Sequence, residues 1–536
     1  MDLFKSEPFS SHVRELMSRH HIPGLVIAVV QDEDVATAGY GSACLETTTP
    51  CTGSTLFDIA SSAKSLTAAA VGMLVEDNER YPEIQYETPM SSLLPDDFVM
   101  PGVGYTEGVT VEDMLSHRTG MASHDCSLMS PRAASADDAR SVTRNLRNLA
   151  IAAPIRARYL YCNMMYTVVT HMIEVKTQQS FSTFLEDRIF QPLGMTSTSL
   201  QPSRAREKGL GDRIATGYYW DRDTSVYKPI AAQDSPEGQG AGSIVTCADD
   251  FVRWIKCLLR REDPVNESVY NGLVRMRSIV NPSGRRLKRL TSPALYAAGL
   301  EIYYYRGHMV VGHNGVTAGF GSHFIFLPDL GFGVVVLGNS DGVCAISTTL
   351  FRTLIDSKLG VSDTEIHPPN KGRKKKEKKA TSSERADGFP HDQRPEPSKQ
   401  GNDIPRKGKK AGGNPKTEVQ LDPRKIVEGM LPSQDIPLTG YSGTYWHPGY
   451  RTMVVQIQDG KLFIDGTDRS LGFTLTFESL GGEGQFTAYL SDMFEGGRDP
   501  VRAMFATAGG RATRMGLDLE PVLKELIWFD LVRDSL

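Results

Sequence analysis

"FDIASSAKSLTAAAVGMLVED", residues 57–77, is the stretch on which the reading of this chain turns. Ser61 stands three residues before Lys64, at the mouth of an apolar run in which Leu66, Ala69, Ala70, Met73 and Leu74 recur at helical spacing. Residues i and i+3 share a helix face, so the Lys64 side chain reaches the Ser61 hydroxyl. A helix N-terminus offers unpaired N–H groups and positive potential, which favour an anion forming at Ser61. A serine hydroxyl attacks poorly until a neighbouring base takes its proton, and a lysine whose pKa is lowered by burial is such a base. The same four residues also read as a serine-rich helix start beside a surface lysine. Average composition yields on the order of one or two S-x-x-K matches in a chain of this size by accident. The second match here, Ser225–Lys228, lies in polar sequence and runs straight into Pro229, which argues against a helix.

Two further stretches separate the readings. "RYLYCNMMYTVVTHMIE" holds Tyr161-Cys162-Asn163 just before another apolar helix, and "VVGHNGVTAGFGSHFIFLP" holds His313-Asn314-Gly315 on a predicted strand. The other H-x-G, His447-Pro448-Gly449, lies in a proline turn and reads as structural. S-x-x-K on a helix, Y-x-N in a loop and [KH]-x-G on a strand, in that order, resemble the three-motif signature of the serine β-lactamase and penicillin-binding-protein superfamily. The likeness is greatest to its class C-like branch of esterases, D-amino-acid peptidases and acyltransferases. "TVEDMLSHRTGM" (110–121), "IFQPLGMTST" (189–198), "IATGYYW" (214–220) and "GQGAGSIVTCADDFVRW" (238–254) look like further landmarks, so the resemblance covers roughly residues 10–360.

The resemblance implies that Ser61 attacks an acyl carbonyl to form an acyl-enzyme. Lys64 and Tyr161 then share the proton relay, Tyr161 acting as a phenolate or through Lys64. Asn163 holds Lys64 and the acyl side of the substrate, and His313 stands where many members have lysine. The oxyanion sits between the N–H of Ser61 and one just past Gly315, at Val316. Two departures stand out: Cys162 fills the middle of Y-x-N, and "GQGAGS" replaces the more usual Gly-Gly landmark. Tyr218, Tyr219 and Trp220 either line the substrate cleft or belong to the core.

The fold class that follows is α/β (α+β), with an antiparallel sheet flanked by helices, a helical subdomain and a C-terminal all-β barrel. "GLVIAVVQDEDVATAGYG" (24–41) reads as two strands around an acidic turn, the centre is helix-rich, and strands return at "MVVGHNG" and "GSHFIFLPDLGFGVVVLGN". Strands at both ends of residues 5–360 predict one sheet built from the two ends. Residues 361–430, rich in Lys, Pro, Gly and Ser, bury too little to order and are expected to be a disordered linker. Its "KGRKKKEKK" run reads as a solvated segment, or else as a nuclear signal or a patch for an acidic partner. Residues 437–536 alternate apolar and polar positions around tight turns such as Asp459-Gly460, predicting the barrel, which resembles a lipocalin-like domain.

With 536 residues, 40% hydrophobic and 23% charged, the chain reads as a soluble protein of two or three folded units. A net charge of −5 gives no general attraction to nucleic acid or to an anionic membrane. Seven scattered cysteines with no C-x-x-C or metal-ligand spacing predict neither a disulfide framework nor a zinc site. The charged, amphipathic N-terminus lacks an apolar h-region and no 18-residue apolar run occurs, so a cytoplasmic protein is expected. Its expected partner is a small acyl substrate (an ester, amide or thioester of intracellular metabolism, such as natural-product biosynthesis) rather than the cell wall, with no cofactor or metal.

Two rival functions were open to this reading. Gly338-Asn339-Ser340-Asp341-Gly342 matches G-x-S-x-G between an apolar strand and a helix, the context of an α/β-hydrolase nucleophile. Against it, the only later histidines, His367, His391 and His447, lie in the linker and the barrel. A catalytically inactive binding protein on a hydrolase fold is the other. The intact set of Ser61, Lys64, Tyr161 and His313 speaks against that.

Overall fold

In the computed structural model, which describes residues 1–362 and 436–532, strands from the two ends of the first region meet in one sheet. Nine antiparallel strands run in the order Thr49–Pro50, Asp34–Cys44, Gly24–Gln31, Phe332–Gly338, Phe320–Leu327, His308–Thr317, Glu301–Tyr305, Leu295–Tyr296 and Ser278–Ile279. The junction is a full ladder from Leu25 opposite Gly338 to Gln31 opposite Phe332. Both strands at that junction are apolar nearly throughout because both faces of the sheet are covered. Alternate side chains serve separate cores. Val26, Ala28 and Val30 face the inserted helices, while Leu25, Ile27 and Val29 face the terminal helices Glu7–Arg19 and Gly342–Lys358.

The Lys64–Glu76 helix lies at the centre of the inserted layer. Every residue from Lys64 to Leu74 is buried, so the apolar stripe expected from its sequence is in fact an apolar cylinder, closed even at Ser65 and Thr67. Alanine and glycine in its middle let neighbours approach closely. Truncating fully buried Leu66 or Leu74 to alanine would cost about 2–5 kcal/mol. Helices Met164–Thr177 and Glu267–Val274 pack against it.

Residues 436–532 form a closed barrel of eight antiparallel strands joined in chain order, from Gly443–His447 to Ile527–Leu531, closed by Tyr445 opposite Leu531. Its interior is filled by its own side chains, among them Tyr441, Phe477, Phe486 and Phe505, with Tyr441 and Phe486 rings 5.1 Å apart. The barrel docks on the segment around residues 123–150. Arg132 donates to the carbonyls of Thr467 and Arg469 at 2.8 and 2.6 Å, and Asn145 to that of Gly449 at 2.9 Å. The proposed disordered linker lies outside the described residues apart from Val361 and Ser362. All seven cysteines are free thiols, and among the described residues no helix is long and apolar enough to cross a membrane.

The G-x-S-x-G rival fails on this topology. Strand Phe332–Gly338 is antiparallel to both its neighbours, whereas that nucleophile needs a parallel sheet. Ser340, 2% exposed, donates to Asp341 and accepts from the Gly342 N–H, so its hydroxyl closes its own turn.

Candidate active site

Strand Phe57–Asp58 pairs with Ile244–Thr246 and ends in a single 3₁₀ turn, Ala60–Ala63, before the Lys64–Glu76 helix begins. Ser61 therefore occupies the tight first turn, where N–H groups lack helical partners. Ala60 is left-handed (φ 44°), held by its N–H donating to the Asp58 carboxylate at 2.7 Å. The turn is tied to strand Phe320–Leu327: Ser62 Oγ and Ser322 Oγ lie 2.7 Å apart, and Ser322 donates to the Ile59 carbonyl at 2.6 Å. Gly315 passes so close that a Cβ there would stand 2.3 Å from the Ile59 carbonyl oxygen and 2.7 Å from the Ser61 nitrogen. Only glycine permits this approach, which brings strand His308–Thr317 beside the Ser61 backbone one residue before Val316.

Lys64 is fully buried. Its Nζ donates to Ser61 Oγ at 3.0 Å, to Asn163 Oδ1 at 2.8 Å and to the Ala241 carbonyl at 2.8 Å. Burial drops its pKa from 10.5 to about 7, against the opposing pull of the Asp125 charge. A neutral amine keeps one lone pair, and the Ser61 hydroxyl is the donor within reach of it. Tyr161 donates to Ser61 Oγ at 2.9 Å, and the Lys64 amine lies 4.9 Å from its ring centre. Burial pushes the Tyr161 phenol well above its usual value, with the Ser61 hydrogen bond opposing. Burial therefore favours the protonated phenol over the phenolate alternative, since a neighbouring lysine that is itself buried supplies little fixed positive charge.

Asn163 stands just before the Met164–Thr177 helix and its side chain bridges two neighbours, its Nδ2 lying 3.3 and 3.4 Å from the Asp125 carboxylate oxygens. Burial raises Asp125 to about 6. Several partners were not legible from motifs. Asp125 opens a short 3₁₀ turn, Asp125–Ser127, that carries no periodic signal, and Ala241 contributes only its carbonyl. Gly240 (φ 80°), inside the "GQGAG" landmark, lets that loop reach the helix, with Thr67 donating to its carbonyl at 2.8 Å. His117 packs against Tyr161 at a tilt of 35° with ring centres 4.2 Å apart, and its Nδ1 accepts from the Cys162 N–H at 3.2 Å.

His313 is 1% exposed and, like Lys64 and Tyr161, does not line the cavity; its ring centre lies 6.5 Å from that of Tyr161. Its Nδ1 donates to the Asn314 carbonyl at 2.5 Å, which leaves Nε2 to accept from Tyr296 OH at 2.9 Å. Tyr218, Tyr219 and Trp220 are also absent from the cavity lining. Tyr218 bonds to Glu46 and to the Leu45 N–H, and Trp220 stacks on His21 at 4.2 Å.

The cavity itself holds about 500 Å³. Ser61, Asp125, Asn163 and Val316 line it from the first region, and Leu471, Asp492, Phe494 and Glu495 line it from two barrel turns. The barrel therefore forms one wall of the space in front of Ser61.

Known proteins share this fold. The Beta-lactamase family model matches residues 9–357, and a domain of unknown function, DUF3471, matches residues 431–530. The chain belongs to the Beta-lactamase family. An unguisins hydrolase (ungD) of Aspergillus violaceofuscus is 32% identical over 541 residues, covering 96% of this chain and 88% of that protein. Penicillin-binding protein 4 of Amycolatopsis lactamdurans is 27% identical over 66% of this chain and 90% of its own. An octameric penicillin-binding-protein homologue from Pyrococcus abyssi shares the fold over 99% of this chain and 100% of its own, at TM-score 0.57 and 18% identity. A D-amino acid amidase from Ochrobactrum anthropi matches 66% of this chain and 100% of its own, at TM-score 0.52 and 20% identity.

Proposed function

We propose that this member of the family is a serine acyl-enzyme hydrolase with Ser61 as nucleophile. The observation that carries the reading is the convergence of the Lys64 amine and the Tyr161 phenol on Ser61 Oγ, at 3.0 and 2.9 Å. A neutral Lys64 accepts the Ser61 proton as Oγ bonds to the acyl carbon. The carbonyl oxygen, now negative, is met by the Ser61 and Val316 N–H groups. Tyr161, a neutral phenol, passes a proton to the leaving group and is resupplied through Ser61's former proton on Lys64. Water then attacks the acyl-enzyme with the same groups acting in reverse. Asn163 keeps the Lys64 amine aimed.

Hydrolysis is favoured over transfer to another acceptor because a relative aligned along nearly the whole chain, barrel included, is named a hydrolase. Unguisins are accordingly the first substrates to try, beside p-nitrophenyl esters, D-amino-acid amides and acyl thioesters. The test is intact-protein mass spectrometry after a fluorophosphonate. One adduct is expected on the wild type and on Ser340→Ala, and none on Ser61→Ala. An adduct that survives Ser61→Ala, or a wild type that takes none, overturns the proposal.

A further inference from the structure

The barrel does more than wall the cavity. His124 is left-handed (φ 51°, ψ 26°), a conformation that a side-chain-bearing residue keeps only where its surroundings over-determine it. Two of those surroundings come from the barrel. Glu520, just before the 3₁₀ turn Pro521–Leu523, accepts through one oxygen from the His124 N–H at 2.7 Å and from Ser123 Oγ at 2.9 Å. Tyr450, in the turn after strand Gly443–His447, places its hydroxyl 2.7 Å from His124 Nδ1. The His124 Nε2 faces the Ala150 carbonyl at 2.8 Å and must donate to it, so Nδ1 is the acceptor and Tyr450 the donor. Glu520, Tyr450 and His124 are all buried. The next residue along is Asp125, whose carboxylate meets Asn163, and Asn163 in turn holds the Lys64 amine.

We infer that Glu520 and Tyr450 are positioning residues for the acylation step, a clamp by which the barrel fixes Ser123–Asp125 so that Asp125 and Asn163 aim Lys64 at Ser61. Neither lines the cavity, so their removal acts on turnover rather than on substrate fit. The inference rests on Ser61 being the acylated residue.

The experiment uses the full chain and a fluorophosphonate probe. Glu520→Leu removes the acceptor, Glu520→Gln keeps a carbonyl oxygen for both donors, and Tyr450→Phe removes one hydroxyl while keeping the ring. Displacing an aligned group by about an ångström costs up to ~100-fold, so labelling of Ser61 is expected to slow at least ~10-fold in Glu520→Leu and Tyr450→Phe. Glu520→Gln should restore labelling to within ~3-fold of the wild type. With p-nitrophenyl esters the loss should fall on kcat and spare KM. Hydrogen exchange of the 123–125 amides should quicken in the two damaging variants and not in Glu520→Gln. Wild-type labelling rates in both damaging variants, or exchange at 123–125 unchanged in both, overturn the clamp, as does Glu520→Gln failing as badly as Glu520→Leu. Tyr450→Phe decides the matter if Glu520→Leu does not fold. A wild type that takes no label sinks the assignment of Ser61 instead, and the exchange measurement still judges the clamp.

Discussion

Acidifying the protein should switch off acylation through one group, Lys64. Burial moves its amine from 10.5 to about 7, a displacement worth about 5 kcal/mol of preference for the neutral form. With the neutral amine as the proposed base, the rate should be level above about pH 7.5 and fall below it, approaching ~10-fold per pH unit beneath about pH 6. The charge on Asp125 opposes this displacement by favouring the ammonium. Asp125→Asn keeps a side-chain oxygen for Asn163 Nδ2 and removes the charge. The Lys64 pKa then drops further, and the acid limb of the profile moves to lower pH. Rates of fluorophosphonate labelling measured from about pH 5 to 9 check both statements. A wild-type profile flat across neutrality, or a limb that moves upward in Asp125→Asn, would refute the assignment of Lys64 as base.

Three further outcomes are expected. Lys64→Met and Tyr161→Phe should each slow labelling by at least ~100-fold, the scale of a lost acid–base group, while Trp220→Ala leaves it unchanged. Gly315→Ala should cost about 1–3 kcal/mol in a thermal melt and depress acylation, because its methyl would press on the Ile59 carbonyl and the Ser61 nitrogen. A melt indistinguishable from the wild type would count against the close approach. Phe494→Ala should change KM among acyl groups of different size by roughly 10-fold, and leave labelling by a small fluorophosphonate nearly as it was. Equal KM values across such a panel would remove Phe494 from the binding wall.

What could be read from the sequence was what short-range geometry dictates. Ser61 and Lys64 are linked by one helical turn, and Tyr161 and Asn163 by the start of another, so spacing joined each pair, while the meeting of the two pairs was implied by the family resemblance. The sheet was legible because Gly24–Gln31 and Phe332–Gly338 are buried on both faces and therefore apolar at nearly every position. The direction of His313 was not, since it depends on Tyr296 reaching its Nε2 from another strand. Tyr218 and Trp220 likewise take their places from Glu46 and His21, far away along the chain. The upward push on the Tyr161 phenol follows from how deeply it is enclosed, and no local pattern encodes that. Asp125, Tyr450 and Glu520 carry no periodic signal at all, and they matter only once the barrel is docked.

Phe494 and Leu471 stand on two short hairpin tips of the barrel, whereas Ser61, Lys64, Tyr161 and Asn163 belong to the other folded unit. Part of the cavity's outline is thus encoded apart from the groups around the nucleophile. Exchanging those two tips as cassettes offers a route to new acyl preferences without disturbing the nucleophile's own hydrogen bonds.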